Sequence, residues 1–137
     1  TLLRDLIRQK SSTGEGSIGV VDERGELFPV CKELWSYPIG QKTDVLTGFG
    51  KQEGIEMLLR TMGPSWIAVD EISSELDCEA LYKAGWCGVK LIATAHAGNM
   101  QELLSRPVYR PLLSHRLFDW VVCMERDSSW HLERIEQ

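Results

Sequence analysis

Apolar residues along this chain change their spacing in a repeating order. Thr1-Leu2-Leu3-Arg4-Asp5-Leu6-Ile7-Arg8 has the period of an amphipathic helix already under way. No capping residue or initiator precedes it, so further sequence is expected upstream. The cluster Ser11-Ser12-Thr13-Gly14-Glu15-Gly16 is loop by composition. Ile18-Gly19-Val20-Val21 then predicts a short buried strand that stops at Asp22-Glu23-Arg24. A Gly- and Pro-rich loop region follows as far as about Gly50, with Thr43-Asp44-Val45-Leu46-Thr47-Gly48 in its later part.

From Lys51 the period is helical again, with Ile55, Leu58, Leu59 and Met62 on one stripe until Gly63-Pro64. Trp66-Ile67-Ala68-Val69 is continuously apolar, as a central strand buried on both faces would be, and it ends in Asp70-Glu71. A second helix is expected through Leu76, Ala80, Leu81 and Ala84. Gly88 releases the chain into the strand-like run Val89 to Ala95, which ends at His96. A third helix carries Met100, Leu103 and Leu104 until Pro107 and Pro111 break it. The tail has two strand-like runs, Trp120 to Glu125 and Trp130 to Ile135, around Asp127-Ser128-Ser129, and is expected to form a hairpin at the sheet edge.

Helices alternating with strands predict an α/β fold with a mostly parallel sheet flanked by crossover helices. Ligands in such sheets sit beyond the carboxyl ends of the strands. Asp22-Glu23-Arg24, Asp70-Glu71 and Thr94 with His96 are therefore expected on one rim.

Length and composition add little to this picture. The 137 residues suit one domain. Fifteen Lys and Arg against 20 Asp and Glu give a formal charge of −5, with no basic block, so nucleic acid is not expected as a main ligand. No run approaches the roughly 18 apolar residues of a membrane span, and no signal-peptide pattern is present. Cys31, Cys78, Cys87 and Cys123 form no C-x-x-C pair and are expected to be mostly buried free thiols, which favours a cytoplasmic location. His115 and His131 lack partners at metal spacing, so no zinc site is expected. Most of Trp35, Trp66, Trp86, Trp120 and Trp130 are expected in the core or at a subunit contact.

Chemistry concentrates at Asp70-Glu71. A buried strand ending in two acids sets a Mg²⁺-directed carboxylate beside one that can orient water, the pair that nucleotide hydrolysis by P-loop enzymes requires. The same two acids also suit the first turn of the next helix, where the dipole favours them. Glu23 is a second acidic candidate for polarising the attacking water, with a surface turn as the alternative. His96, after Thr94, is placed to sense a γ-phosphate or to serve structurally. The start of the chain has the character of the helix that follows a G-x-x-x-x-G-K-[ST] loop, although the loop itself is not in the sequence.

Six blocks in order carry a resemblance over essentially the whole chain: Thr1 to Leu6, Val20 to Arg24, Thr43 to Leu46, Val69 to Ile72, Ala93 to His96 and Arg106-Pro107-Val108. The chain resembles the stage III sporulation protein AA family, ATPases of spore-forming bacteria related to type II and type IV secretion ATPases. The resemblance implies a RecA-like P-loop NTPase core, of which residues 1–137 are a partial domain without the Walker A loop and an N-terminal domain that precede it. It also implies ATP and Mg²⁺ as cofactors, a homo-oligomeric ring, and membrane proteins of a sporulation channel complex as partners. The location implied is cytoplasmic, peripheral at the inner face of a membrane.

By the same resemblance Asp70 and Glu71 are the Walker B acids, with Asp70 on Mg²⁺ through water. Asp22 and Glu23 resemble an acidic box and His96 a histidine box. Thr1, Lys42 and Thr94 join Asp70 as nucleotide-binding candidates, Thr1 looking like the residue after the Mg²⁺-binding Thr. Glu71, Glu23 and His96 are the catalytic candidates. The sequence departs from the family at Lys42, where Arg is usual, and at Ser73-Ser74, where Gly followed by a polar or basic residue is usual. Ala97-Gly98-Asn99 is a milder change. Those departures motivate a rival reading, a ring-forming scaffold whose nucleotide site has decayed. An enzyme that handles nucleic acid is a third.

Overall fold

The computed structural model describes residues 2–14, 16–32 and 34–136. Helix α1 (Leu2–Ser12) buries Leu3, Ile7 and Ser11, four residues apart on one face. Strand β1 (Ile18–Asp22) is buried at all five positions. A short antiparallel pair, β2 (Val30–Cys31) and β3 (Leu34–Trp35), leads to β4 (Thr43–Thr47). Helix α2 (Lys51–Thr61), β5 (Trp66–Val69), α3 (Glu75–Trp86) and β6 (Lys90–Ala93) follow. Then come α4 (Met100–Ser105), a 3₁₀ turn at Pro107–Tyr109, α5 (Arg110–Ser114) and a hairpin of β7 (Trp120–Met124) and β8 (Trp130–Arg134).

The main sheet has the order β4-β1-β5-β6 with every pair parallel. β1 and β5 are its central strands, which explains their unbroken apolar runs. Side chains alternate across the strands, so the sheet has two cores. Val21, Ile67, Val69 and Leu91 pack with Ile55 and Leu58 of α2 and with Cys78, Leu81 and Ala84 of α3. Val20 and Ala68 pack on the opposite side with Leu3 and Ile7 of α1 and with Leu27 and Phe28. Close approach of α2 to β1 depends on small residues: a Cβ at Gly54 would lie 2.6 Å from Val21 Cγ1.

Several expectations are corrected by the fold. The stretch Thr43 to Thr47 is an edge strand in register with Ile18 to Asp22, not part of a loop. Only Val45 and Leu46 are apolar there, too short a run to signal a strand. The tail forms its hairpin, but among the described residues β7 and β8 pair only with each other. A cleft of about 640 Å³ lies between this hairpin and β6, lined by Leu91, Ala93, Val121 and Cys123 and by Leu2 and Leu6 of α1. The helix expected through Leu76, Ala80, Leu81 and Ala84 is α3, with Leu76 on its exposed side at 57%. Of the tryptophans expected in the core or at a subunit contact, Trp66 packs half-buried against the α1 side of the sheet, while Trp35, Trp86, Trp120 and Trp130 are exposed and so lie outside the core. Cys78 alone among the cysteines is fully enclosed; Cys31 and Cys87 are exposed and Cys123 is intermediate.

Candidate functional site

The strands β1 and β5 lie side by side, yet the chain leaves them toward opposite faces. After β1 it turns toward α1, where Leu27 and Phe28 are buried; after β5 it turns toward α3. Parallel strands whose connections part in this way open a crevice at their carboxyl ends. Here the crevice is about 180 Å³ and is lined by Asp22, Glu23, Arg24, Glu26, Lys51, Asp70, Glu71 and Ser73.

One hydroxyl organises the two acids after β5. Thr94, just beyond β6, donates its O–H to Asp70 Oδ1 at 2.5 Å, while its Oγ1 accepts the Glu71 N–H at 2.7 Å. The Ile72 N–H donates to the Thr94 carbonyl at 2.9 Å, and the buried Tyr109 hydroxyl donates to the Ile72 carbonyl at 3.3 Å. Glu71 is thereby held at φ +53°, a left-handed backbone that costs a side chain about 1–2 kcal/mol. Strain of this kind persists where surrounding bonds over-determine it, and such sites are often functional.

The two acids after β1 divide their work. Asp22 is buried and accepts three backbone N–H groups, from Glu26 at 3.1 Å, Leu27 at 3.2 Å and Phe28 at 2.9 Å. Its carboxylate holds the turn that carries the chain off the sheet. Glu23 is exposed and meets the Lys51 ammonium at 3.0 Å. Lys51 is only 9% exposed and lies 4.0 Å from Asp77 as well. Asp77 in turn accepts the Ser73 N–H at 3.0 Å and the Ser74 N–H at 3.2 Å, while its own N–H donates to Ser74 Oγ at 3.1 Å. Ser73-Ser74 therefore serve as the capped start of α3, one half of a capping box.

His96 reaches Glu71 Oε1 at 4.0 Å with its side chain 85% exposed; it does not line the crevice but lines the larger cleft together with Asp70 and Thr94. The remaining candidates lie elsewhere. Lys42 precedes β4 and so lies at the amino end of the sheet, roughly 15 Å of strand from the rim. There its N–H donates to Ser11 Oγ and its ammonium to the Gly14 carbonyl. Thr1 lies outside the described residues. Lys51 is expected from its pattern only as the start of a helix, and Asp77 carries no catalytic motif, so neither stands out as a site residue in the sequence. The available signal was a lysine opening a helix, where the dipole disfavours a cation.

The hairpin corrects the expectation that His131 lacks ligand partners. Register sets Cys123 opposite His131, and Glu133 follows on the same face. Their ligand atoms lie within 4.8 Å of one another, with Glu133 Oε1 at 2.9 Å from His131 Nε2 and accepting the Cys123 thiol at 3.4 Å. Burial, then the bond to Glu133, pushes the Cys123 thiol up; the His131 bond holds the Glu133 carboxyl below its usual range. Sequence spacing cannot reveal a grouping created by cross-strand pairing.

The family model described as "Sporulation stage III, protein AA" matches residues 1–132. This chain belongs to the stage III sporulation protein AA family. Stage III sporulation protein AA of Bacillus subtilis (strain 168) is 40% identical over 124 residues, covering 87% of the chain. The chain spans 40% of the length of that relative. Among solved structures, the ATPase DotB of Legionella pneumophila is similar at a TM-score of 0.49 and 16% identity, over 97% of this chain and 39% of that one. Among the described residues of this family member, no helix is long and apolar enough to cross a membrane.

Carboxylate oxygens are what a hard divalent cation takes, and Mg²⁺ usually binds through one or two of them while keeping water. Asp70 meets that requirement. Its Oδ1 is fixed by Thr94, and among the described residues Oδ2 has no hydrogen-bond partner. The residues present therefore fit a Mg²⁺ held largely through water, which would supply charge neutralisation at a bound polyphosphate.

Proposed function

We propose that the protein to which this chain belongs is a Mg²⁺-dependent ATPase that energises the assembly or transport of a sporulation export channel. The observation that carries the reading is the Thr94 hydroxyl bridging Asp70 and Glu71, the two acids that line the crevice. In this reading Asp70 holds Mg²⁺ through water, Glu71 orients the attacking water, and Thr94 keeps both in place. Glu23 closes the opposite wall, and His96 meets the terminal phosphate from the rim. Positioned charge of this kind provides most of the catalysis in phosphoryl transfer.

The phosphate-binding loop belongs, in this proposal, to a segment ahead of Leu2, after a further N-terminal domain. Two features support it. β6 has no strand on its outer side among the described residues, and the cleft between β6 and the hairpin is lined in part by Leu2, Leu3 and Leu6. A strand entering there would bring a loop to the same rim. A homo-oligomeric ring, membrane channel proteins as partners and a cytoplasmic position at the inner face of the membrane complete the proposal.

The rival is a ring-forming scaffold without hydrolysis, favoured by the placement of Lys42 far from the crevice. The full-length protein separates the two. Release of phosphate from ATP with Mg²⁺, together with weak ATP binding by residues 1–137 alone, supports the ATPase. No release by the full-length protein leaves the scaffold.

A further inference from the structure

Lys51 occupies a position that local physics disfavours. It is the first residue of α2, where the helix dipole repels a cation, and it is 9% exposed, where an ammonium must be compensated. Compensation comes from two carboxylates on different elements. Glu23, after β1, lies at 3.0 Å, and Asp77, in the first turn of α3, at 4.0 Å. Asp77 is itself buried and bound to the Ser73 and Ser74 amides. One ammonium therefore ties the loop after β1 to the loop after β5, across the crevice that both loops form.

The crevice is strongly acidic. Glu23, Glu26, Asp70 and Glu71 line it against Arg24 and Lys51, with buried Asp22 beneath and Asp77 behind. Glu23 is exposed, and among the described residues its side chain is held by Lys51 alone. A local rule broken at a site, with compensation drawn from both walls of that site, marks a residue kept for geometry.

We infer that Lys51 is the positioning residue of this site: its ammonium fixes Glu23 on the crevice wall facing Asp70 and Glu71 and sets the separation of the two loops. The inference rests on the ATPase reading. Lys51 touches no reacting atom and acts through Glu23.

The test is a double-mutant cycle in the full-length protein with Mg²⁺ and ATP. Lys51→Met should lower kcat at least tenfold with KM within threefold, and Lys51→Arg should restore it to within threefold of the unmutated protein. Because Lys51 works through Glu23, the double variant Lys51→Met with Glu23→Gln should be no slower than Glu23→Gln alone, within twofold. Amide exchange over 22–26 and 71–74 should quicken in Lys51→Met. Multiplicative losses in the double variant, or a kcat within twofold of normal in Lys51→Met with exchange unaltered, overturn the inference. Should Lys51→Met fail to fold, Glu23→Gln removes the same contact and must slow turnover tenfold and loosen 22–26, or the inference fails. If Glu71→Gln turns over as fast as the unmutated protein, the hydrolysis reading has failed instead, and the exchange data alone decide the role of Lys51.

Discussion

Thr94→Val removes one hydroxyl of nearly constant volume and breaks two bonds at once. The bond to the Asp70 carboxylate, 2.5 Å long, is charge-assisted and contributes about 1.5–3 kcal/mol if dry; the bond from the Glu71 N–H, 2.7 Å, contributes about 0.5–1.5 kcal/mol. Both are partly wet, because Thr94 and Asp70 are intermediate in burial and Glu71 is exposed. Water then replaces about half of that sum. Releasing the left-handed Glu71, which stores about 1–2 kcal/mol, returns a further fraction. A net loss of about 1–2 kcal/mol is expected, read as a lower urea midpoint at unchanged slope. Thr94→Ser, which keeps the hydroxyl, should stay within about 0.5 kcal/mol of the unmutated protein. The reasoning is refuted if Thr94→Val also stays within that margin, because Asp70 and Glu71 would then owe their placement to something else.

Three further outcomes follow from the same geometry. Glu71→Gly should raise stability by about 1 kcal/mol, since glycine adopts φ +53° freely, while Glu71→Gln should not; calorimetric melting compares the two. Gly54→Ala should destabilise by about 1–2 kcal/mol, because the clash with the stiff Val21 side chain outweighs the helix propensity gained, and a denaturant titration showing stabilisation would contradict the close packing of α2 on β1. At pH 8 a maleimide should label Cys31 and Cys87 within minutes, whereas Cys78, enclosed and with its thiol pushed up to about 11 mainly by burial, should be labelled only after denaturation, as mass spectrometry of tryptic peptides would report.

The parallel sheet was legible because its central strands are buried on both faces, and Ile18 to Val21 and Trp66 to Val69 have no polar position to obscure them. Edges were not legible. Thr43 to Thr47 pairs on one side only and needs just two apolar residues, so its pattern is that of a loop. The hairpin was legible from its alternation, but where it lies depends on tertiary contacts that a local pattern does not encode. At the site, strand ends could be read, so Asp22, Glu23, Asp70, Glu71, Thr94 and His96 were expected together. What each does required geometry: Asp22 and Asp77 satisfy backbone amides, and Thr94 is the hinge of the acidic pair. Lys51 was hidden because its partners lie 28 and 26 residues away, on β1's loop and on α3. Ser73-Ser74, which the resemblance marked as a departure, form the capped start of α3.

The most direct test of the account measures ATP binding and phosphate release in the same samples of full-length protein, unmutated and Glu71→Gln, with and without Mg²⁺. The account predicts that Glu71→Gln retains Mg²⁺-dependent ATP binding while phosphate release falls by a factor of about 100 or more, as expected when a water-orienting group is lost. Release at an undiminished rate in Glu71→Gln, or release that does not depend on Mg²⁺, would contradict it.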